Sequence, residues 1–382
     1  MVNKALNDKV QALLQDQIKR GTQLGTQVCA YRGGEVIVDT WAGQMGPADA
    51  RPVQPDTLFS SFSTTKGVAA AALHILADRG IVDYEAPVTK YWPAFGQHGK
   101  ERITVAQAMS HQAGLHAVPA PLTVAFIQDW DAGLKWIEDG VPAWEPGTAT
   151  GYHALTYAWV AGGIIQHASG RHIKEVIRED IAKPLGIQDQ MYVGIPDGVE
   201  ARLATLMTAA EQGPAAPLPI PPDHDFFKAM PTDSEVNYND MRVRKACLPS
   251  ANGHFTARAL ARMYGALANG GQVDGVRLVS ESRIPHMYRC MTDQPDRVIM
   301  GMPIRKGIGF FLGGKMGGIA GAQGPRDSSF GHPGAGGSIA FADPEVGLSV
   351  AVTINKMQST LTAEGPTFEI CELIRNELGV NI

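Results

Sequence analysis

Strand-like runs lie near both ends of this chain, and helix-like patterns fill its middle. The runs are short, rich in β-branched and aromatic residues, and joined in pairs by turns containing Gly or Pro. They are residues 27–31 and 35–40 near the start, and residues 338–342 and 348–354 near the end. We expect these distant runs to build one sheet together, so the polypeptide between them must form an insertion.

Helical periodicity accounts for most of the remaining sequence. Apolar residues recur at helical spacing over residues 3–20 and again over residues 367–378, which predicts a helix at each end of the chain. We predict an α+β fold in which residues 1–83 and 234–382 form a sheet domain flanked by helices. Residues 84–233 are predicted to form an inserted all-helical domain, which includes an extended Pro-rich connector at residues 214–222.

The composition narrows the classes of function. The chain has 382 residues, 44% of them hydrophobic, which is enough to bury a large core. Its net charge of −5 and scattered Lys and Arg residues give no basic patch for nucleic acid. No apolar run is long enough for a membrane span, and the first 20 residues lack a signal-peptide core. We expect a cytoplasmic protein with no nucleic-acid or membrane partner.

The four cysteines give no sign of a disulfide framework or a metal site, because none of them has C-x-x-C spacing. They are Cys29, Cys247, Cys290 and Cys371. The sequence also lacks the H-E-x-x-H zinc motif, and its histidines do not cluster at ligand spacing. We therefore expect reduced thiols, no metal and no cofactor.

The segment Ser63-Thr64-Thr65-Lys66 contains the first candidate for catalysis. If a helix begins near Ser63, the hydroxyl and the Lys66 amine fall on one face within a turn. A lysine desolvated by the Ala-rich run that follows can take the serine proton, and the helix start offers free N–H groups to an oxyanion. The motif is short, however, and matches of this length also arise by chance.

Two further stretches could complete such a site. Tyr152 follows a Pro-Gly loop and precedes an apolar helical run, so its phenol could exchange protons with the lysine and serine, or simply be a packed aromatic. The Gly-rich stretch 330–338 leads into a strand, and its N–H groups could bind an oxyanion. A phosphate loop would require a helix after the glycines, which makes a nucleotide site a poor fit.

The histidines near these stretches have structural alternatives. We expect His74 to be a core or surface residue of the Ser63 helix, and His111 to fix a loop by hydrogen bonding. His332 lies within the Gly-rich stretch, so both a structural and a substrate-binding role stay open for it.

Together, the three stretches resemble the serine β-lactamase-like superfamily in residue type and order. That superfamily includes class C β-lactamases, penicillin-binding D-alanyl-D-alanine peptidases and family VIII carboxylesterases. The resemblance implies an antiparallel sheet flanked by helices, a helical domain, and an active site in the cleft between them. It also implies that Ser63 is the acylated nucleophile and that Lys66 and Tyr152 form the proton-transfer pair, with the assignment of the general base left open.

The resemblance also assigns the oxyanion hole and the substrate-binding candidates. The oxyanion hole would be the backbone N–H groups of Ser63 and Ala335. Three residues of the Gly-rich stretch are candidates for substrate binding: His332, Gly334 and Gly336.

Two departures from the β-lactamase pattern point to esters as substrates. Ala154 stands where class C enzymes have the Asn of Tyr-x-Asn, and His332-Pro333-Gly334 replaces Lys-Thr-Gly. Both changes weaken recognition of amide and carboxylate groups, and the His-Pro-Gly form resembles the esterase branch. Ester cleavage also needs less assistance from the active site, because an alkoxide leaves more readily than an amide nitrogen.

We therefore predict a serine carboxylesterase that hydrolyses small to medium esters through an acyl-enzyme on Ser63. An acyltransferase with the same acyl-enzyme is the first alternative, and a β-lactamase or D-aminopeptidase is the second. A non-catalytic binding protein on the same fold is a third. The sequence gives no prediction of the oligomeric state or of the natural ester.

Overall fold

A seven-stranded antiparallel sheet joins the two ends of the chain. The computed structural model describes residues 2–213, 218–316, 319–358 and 364–381. In these residues the strands are β1 (Gly25–Arg32), β2 (Glu35–Gly46), β3 (Asp49–Pro52), β4 (Phe59–Ser60), β5 (Met191–Val193), β6 (Gly253–Phe255), β7 (Gln272–Val273), β8 (Val276–Arg277), β9 (Phe311–Leu312), β10 (Lys315–Met316), β11 (Ile319–Ala320), β12 (Phe330–Pro333), β13 (Ile339–Asp343) and β14 (Leu348–Ile354).

Helices cover both faces of this sheet. Over the same residues they are α1 (Lys4–Lys19), α2 (Thr64–Asp78), α3 (Val105–Met109), α4 (Val124–Gln128), α5 (Trp130–Asp139), α6 (Tyr157–Ser169), α7 (Ile173–Val176), α8 (Asp225–Ala229), α9 (Met241–Lys245), α10 (Ala257–Ala268), α11 (Ile284–Met287) and α12 (Pro366–Glu377). Short 3-10 turns connect several of them, and α7 continues into a wider π-type helix over Ile177–Ala182.

The strand order of the large sheet is β3-β2-β1-β14-β13-β12-β9. The first and last parts of the chain meet at the β1–β14 pair, where Val28 lies opposite Val352. The turn at Gly33 and Gly34, both with positive φ, closes the β1–β2 hairpin as the glycines predict. This arrangement confirms the predicted α+β class and the antiparallel sheet flanked by helices.

Alternation along β14 explains why the sheet is covered on both faces. Val350 and Val352 point into an apolar layer under α1 and α12, whereas Ala351 belongs to the larger core on the other face. On that second face Ser349 donates its hydroxyl to the Ala261 carbonyl of α10 at 2.8 Å. Each face therefore buries its own set of side chains.

Helix α2 lies in the middle of the larger core. Every residue from Thr64 to Ala77 is buried, and the helix packs against α6 and β12. Its sequence is apolar around nearly its whole circumference, which is the pattern of a helix without a solvent face. The packing of α2 therefore holds its first turn in a fixed position.

The segment between residues 84 and 233 contributes α3 to α8 and the three-residue strand β5. β5 pairs with β6, which also pairs with β4 just before α2, so a second small sheet ties this segment to the start of α2. The boundaries that we predict for the two domains stay a prediction.

Two expectations from the sequence need comment. The Gly-rich stretch was expected to precede the strand at residues 338–342, but its first part, Phe330–Pro333, is itself the strand β12 and pairs with β13. Pro333 is tolerated because it stands at the end of the strand, where the missing N–H matters least. Of the predicted Pro-rich connector 214–222, residues 214–217 lie outside the described residues.

Candidate active site

Ser63 lies at the point where the short strand β4 turns into the central helix α2. Phe62, the residue before it, has a φ of +46°, a conformation that L-residues rarely adopt. Two hydroxyls of the helix start hold this turn: Thr64 donates to the Ser61 carbonyl at 2.7 Å, and Thr65 donates to the Phe62 carbonyl at 2.5 Å. The strained turn leaves Ser63 only half-buried, while its neighbours are buried.

The amine of Lys66 lies beside the Ser63 hydroxyl, as the spacing predicts. Its Nζ is 3.3 Å from Ser63 Oγ and donates to the carbonyls of Ala154 at 2.7 Å and Ser250 at 2.9 Å. The side chain is fully buried, and burial lowers the pKa of Lys66 well below its ordinary value of 10.5. The environment of this lysine thus favours the neutral amine, which is the form that can accept a proton.

Tyr152 comes to the same place from the distant helical segment. Lys66 Nζ lies 4.7 Å from the centre of the Tyr152 ring, and the Tyr152 phenol lies close enough to the Ser63 side chain for Ser63 to affect its pKa. Burial raises the pKa of the Tyr152 phenol well above its ordinary value, and the nearby Ser63 side chain opposes that rise only in part. The phenol therefore stays protonated at neutral pH and can serve as a proton donor.

The end of β12 approaches the serine turn closely at Gly334. A side chain at Gly334 would collide with the Ser61 carbonyl, so only glycine allows this contact. Gly336 and Gly337 follow with φ values of +84° and +115° and close a turn in which the Gly337 N–H donates to the Gly334 carbonyl at 3.0 Å.

The two backbone N–H groups assigned to an oxyanion hole are available. Within the described ranges, neither the N–H of Ser63 nor that of Ala335 has a hydrogen-bond acceptor. Ala335 is exposed, and it lies in the turn that Gly334 brings against Ser61. Unpaired donors of this kind are suited to negative charge on an attacked carbonyl.

His332 lies beside Tyr152 and is a neutral hydrogen-bond acceptor. Its ring centre is 5.9 Å from that of Tyr152, and its Nδ1 is 2.7 Å from the Pro333 carbonyl, which can only accept. Nδ1 therefore carries the proton, which leaves Nε2 as a buried acceptor without a partner among the described residues. Burial lowers the pKa of His332 well below its ordinary value of 6.5, and a positive charge on Lys66 would lower it further, so this position carries no positive charge.

His111 and His74, the two other histidines considered from the sequence, have structural partners. His111 has a positive φ of +65° and accepts the backbone N–H of His153 on Nδ1 at 3.1 Å, as expected of a residue that fixes a loop. His74 is buried in α2, where its ring hydrogen-bonds to Tyr84 and to the Ile308 carbonyl. Both therefore have the structural roles that we expected for them.

Sequence reasoning missed an apolar cluster around the Tyr152 ring. The cluster is formed by Tyr152, Ala154, Ala229, Val298, Ile304 and Phe311, with Met230 and Ile299 packed against it. Phe311 also contacts His332, with ring centres 4.3 Å apart. The members of this apolar cluster come from four separate parts of the chain, so no local sequence pattern could have identified the cluster.

Sequence reasoning also missed Tyr238, whose ring lies 4.7 Å from that of Phe62. Burial raises the pKa of this phenol, and a negative charge on it would raise the pKa of Tyr152. Tyr238 follows the Pro-rich connector, a stretch without helical or strand periodicity, so no sequence signal marked it.

Over the described ranges, no helix has the length and apolar character that crossing a membrane requires. The same residues hold no group of three or more His, Cys, Asp or Glu side chains arranged to bind a metal ion, and the four cysteines are unpaired.

Comparison with known proteins gives a consistent result. The beta-lactamase family model matches residues 10–370. Esterase/beta-lactamase LipL of Mycobacterium tuberculosis is 36% identical over 350 residues, which cover 88% of this chain and 78% of that protein. The structure of a family VIII carboxylesterase is similar with a TM-score of 0.89 and 32% identity, and a penicillin-binding protein homologue from Caulobacter crescentus with a TM-score of 0.87 and 35% identity.

Both solved structures cover 98% of this chain, and this chain covers 98% of each. The match therefore extends over the sheet, the helical segment and the Ser63 region alike. The chain belongs to the beta-lactamase family, within the superfamily of serine hydrolases that its motifs resemble.

Proposed function

We propose that this protein is a serine carboxylesterase that hydrolyses small to medium, uncharged esters through an acyl-enzyme on Ser63. The observation that carries the proposal is the contact between Ser63 Oγ and the buried Lys66 amine, which also lies 4.7 Å from the centre of the Tyr152 ring. The family VIII carboxylesterase and the esterase named among the relatives support the same reaction class.

Acylation begins when neutral Lys66 takes the Ser63 proton as Oγ attacks the ester carbonyl. The negative charge that develops on the carbonyl oxygen is stabilised by the N–H groups of Ser63 and Ala335. When the tetrahedral intermediate collapses, Tyr152 donates its proton to the departing alkoxide and recovers one from Lys66. The alcohol leaves, and Ser63 carries the acyl group.

Deacylation repeats these proton transfers in the reverse direction. Tyr152 takes a proton from the water that attacks the acyl carbonyl while it passes its own proton to neutral Lys66, and Lys66 then returns a proton to Ser63 Oγ as the acyl–oxygen bond breaks. The opposite pKa shifts of the two residues support this division of work, because Lys66 is favoured as the neutral base and Tyr152 as the neutral acid.

The preference for uncharged esters rests on His332 and the apolar cluster around Tyr152. The superfamily's β-lactamases have a lysine where this chain has His332, and the neutral ring here offers no cation to a substrate carboxylate. The apolar cluster provides a surface for the hydrocarbon part of an ester. Ala154 in turn lacks the amide that an Asn would offer, while its carbonyl holds Lys66.

Beta-lactam hydrolysis is the second candidate, because the relative LipL is named both an esterase and a beta-lactamase. It would use the same acyl-enzyme, but the substrate carboxylate would meet His332 instead of a lysine. We therefore expect it to be the weaker activity.

The test is a comparison of kcat/KM for p-nitrophenyl acetate, butyrate, octanoate and dodecanoate with that for the cephalosporin nitrocefin. We expect the short and medium esters to be hydrolysed with the highest kcat/KM and nitrocefin much more slowly. A kcat/KM for nitrocefin equal to that of the best ester would contradict the proposed substrate class. Preferential transfer of the acyl group to an added alcohol would instead favour an acyltransferase.

A further inference from the structure

A fully buried ion pair lies next to the candidate active site. Lys306 Nζ is 2.5 Å from Asp296 Oδ2, and neither side chain is exposed to solvent. The same amine also donates to the Thr150 hydroxyl at 2.8 Å. Burying two charges is costly unless all their hydrogen-bonding groups are used, so the second carboxylate oxygen of Asp296 also needs hydrogen-bond donors.

That second oxygen, Asp296 Oδ1, accepts three backbone N–H groups. They belong to Tyr152 at 3.1 Å, Val298 at 2.8 Å and Ile299 at 2.8 Å. A backbone hydrogen bond of 2.9 Å from Arg297 N–H to the Thr150 carbonyl runs alongside. One carboxylate thus joins the loop that carries Tyr152 to a loop 144 residues further along the chain.

We infer that Asp296, held by Lys306, is a positioning residue for Tyr152, and that it sets the phenol and the adjoining apolar wall in one fixed arrangement. The inference rests on the proposed function, in which Tyr152 transfers protons. Tyr152 is bound through its own backbone N–H, so a shift of Asp296 moves the residue as a whole. Val298 and Ile299, bound to the same oxygen, belong to the apolar cluster around the Tyr152 ring.

This arrangement affects the chemical step more than substrate binding. A proton donor works only within hydrogen-bonding reach of the departing oxygen, and a displacement of about 1 Å can reduce the rate by about 10²-fold. The Ser63–Lys66 contact does not depend on Asp296, because the acceptors of Lys66 are Ser63 and the carbonyls of Ala154 and Ser250.

The experiment compares two double variants of the full-length protein that share one substitution. Lys306→Gln is combined with Asp296→Asn in one variant and with Asp296→Ala in the other, so that neither leaves a buried charge unpaired. The Asn variant keeps an oxygen that can accept the Tyr152 N–H, whereas the Ala variant has none. With p-nitrophenyl butyrate, we expect kcat near the wild-type value for the Asn variant and about 10²-fold lower for the Ala variant, with KM little changed in both.

A double-mutant cycle separates positioning from general loosening of the structure. In a Tyr152→Phe background, the change from Asn to Ala at position 296 should have little further effect on kcat, because the phenol to be positioned is gone. An equal loss of kcat in both backgrounds would overturn the inference. So would equal kcat values for the Asn and Ala variants in the presence of Tyr152.

A third variant covers the case in which the Ala variant does not fold, as judged by circular dichroism. Asp296→Glu keeps the charge opposite Lys306 but moves the acceptor by one methylene, so kcat should again fall with KM little changed. Wild-type kcat in this variant would overturn the inference. Failure of the proposed function is recognised separately, since wild-type protein would then hydrolyse no ester and Tyr152→Phe would change nothing.

Discussion

Lys66 Nζ approaches Ser63 Oγ at 3.3 Å while two backbone carbonyls, those of Ala154 and Ser250, accept its other hydrogen bonds. A neutral amine has two N–H groups, and the two carbonyls fix the direction of both. Its lone pair then points along the remaining tetrahedral direction, toward the serine hydroxyl. The same three acceptors also satisfy the three N–H groups of the ammonium form, so the proton can be gained and lost without rearrangement.

Replacement of Lys66 by methionine tests this role. The variant keeps an unbranched side chain of similar length but cannot accept a proton, so we expect kcat for p-nitrophenyl butyrate to fall by about 10³-fold or more. Lys100→Met is the matched control, because Lys100 is also fully buried and donates to the carbonyls of Glu138 and Gly140. Substantial esterase activity in the Lys66 variant, or an equal loss in the folded control, would contradict the assignment.

The pH dependence of the reaction should show the lowered pKa of Lys66. The free base is the active form, so kcat/KM rises as the pH increases through that pKa. Because burial lowers this pKa, the rise should be complete well below pH 10.5, the ordinary value for a lysine. Tyr152 stays protonated over this range, because burial raises its pKa.

The measurement is kcat/KM for p-nitrophenyl butyrate across the pH range in which the protein stays folded, after subtraction of the rate with Ser63→Ala. An acid limb that ends only at the pKa of an exposed lysine would show that Lys66 is not the desolvated base.

The packing below the site gives a prediction about stability. Gly67 follows Lys66 in α2, and a Cβ there would collide with the hydroxyl of Tyr264, which is fully buried and has no hydrogen-bond partner in the described part of the chain. We expect Gly67→Ala to lower the free energy of unfolding by about 1–3 kcal/mol, because overpacking outweighs the higher helix propensity of alanine.

Tyr264→Phe provides the control, since it removes the hydroxyl that the new methyl group would meet. Urea unfolding of the single and double variants should show that Tyr264→Phe recovers part of the stability lost in Gly67→Ala. Equal stability of Gly67→Ala and the wild type would contradict this account of the packing.

The sequence predicts those parts of the site that depend on short local patterns. Ser63 and Lys66 lie within one helical turn, so their contact follows from the start of α2. The antiparallel sheet could be predicted from its hairpins, since the turns at Gly33-Gly34 and at residues 343–347 each join two runs with strand character. Tyr152 has no local link to Ser63, and only its place in the superfamily pattern assigned it to the site.

What the sequence does not reveal depends on tertiary contacts between distant residues. Lys306 and Thr150 are 156 positions apart, and although Thr150 lies two positions before Tyr152, no pattern around Lys306 marks it as part of an active site. The β12 strand escaped prediction for a related reason. Its glycine and proline indicate a loop, but pairing with β13 and close packing of Gly334 on the Ser61 carbonyl determine its conformation.

The central claim is that Ser63 is the acylated nucleophile, and covalent labelling tests it most directly. An alkyl fluorophosphonate should add one phosphonyl group to the wild-type protein, detected by intact mass, with loss of esterase activity in proportion to labelling. Peptide mapping should place the group on Ser63, and Ser63→Ala should stay unlabelled. Labelling at another residue, or ester hydrolysis that persists after Ser63 is fully labelled, would contradict the account.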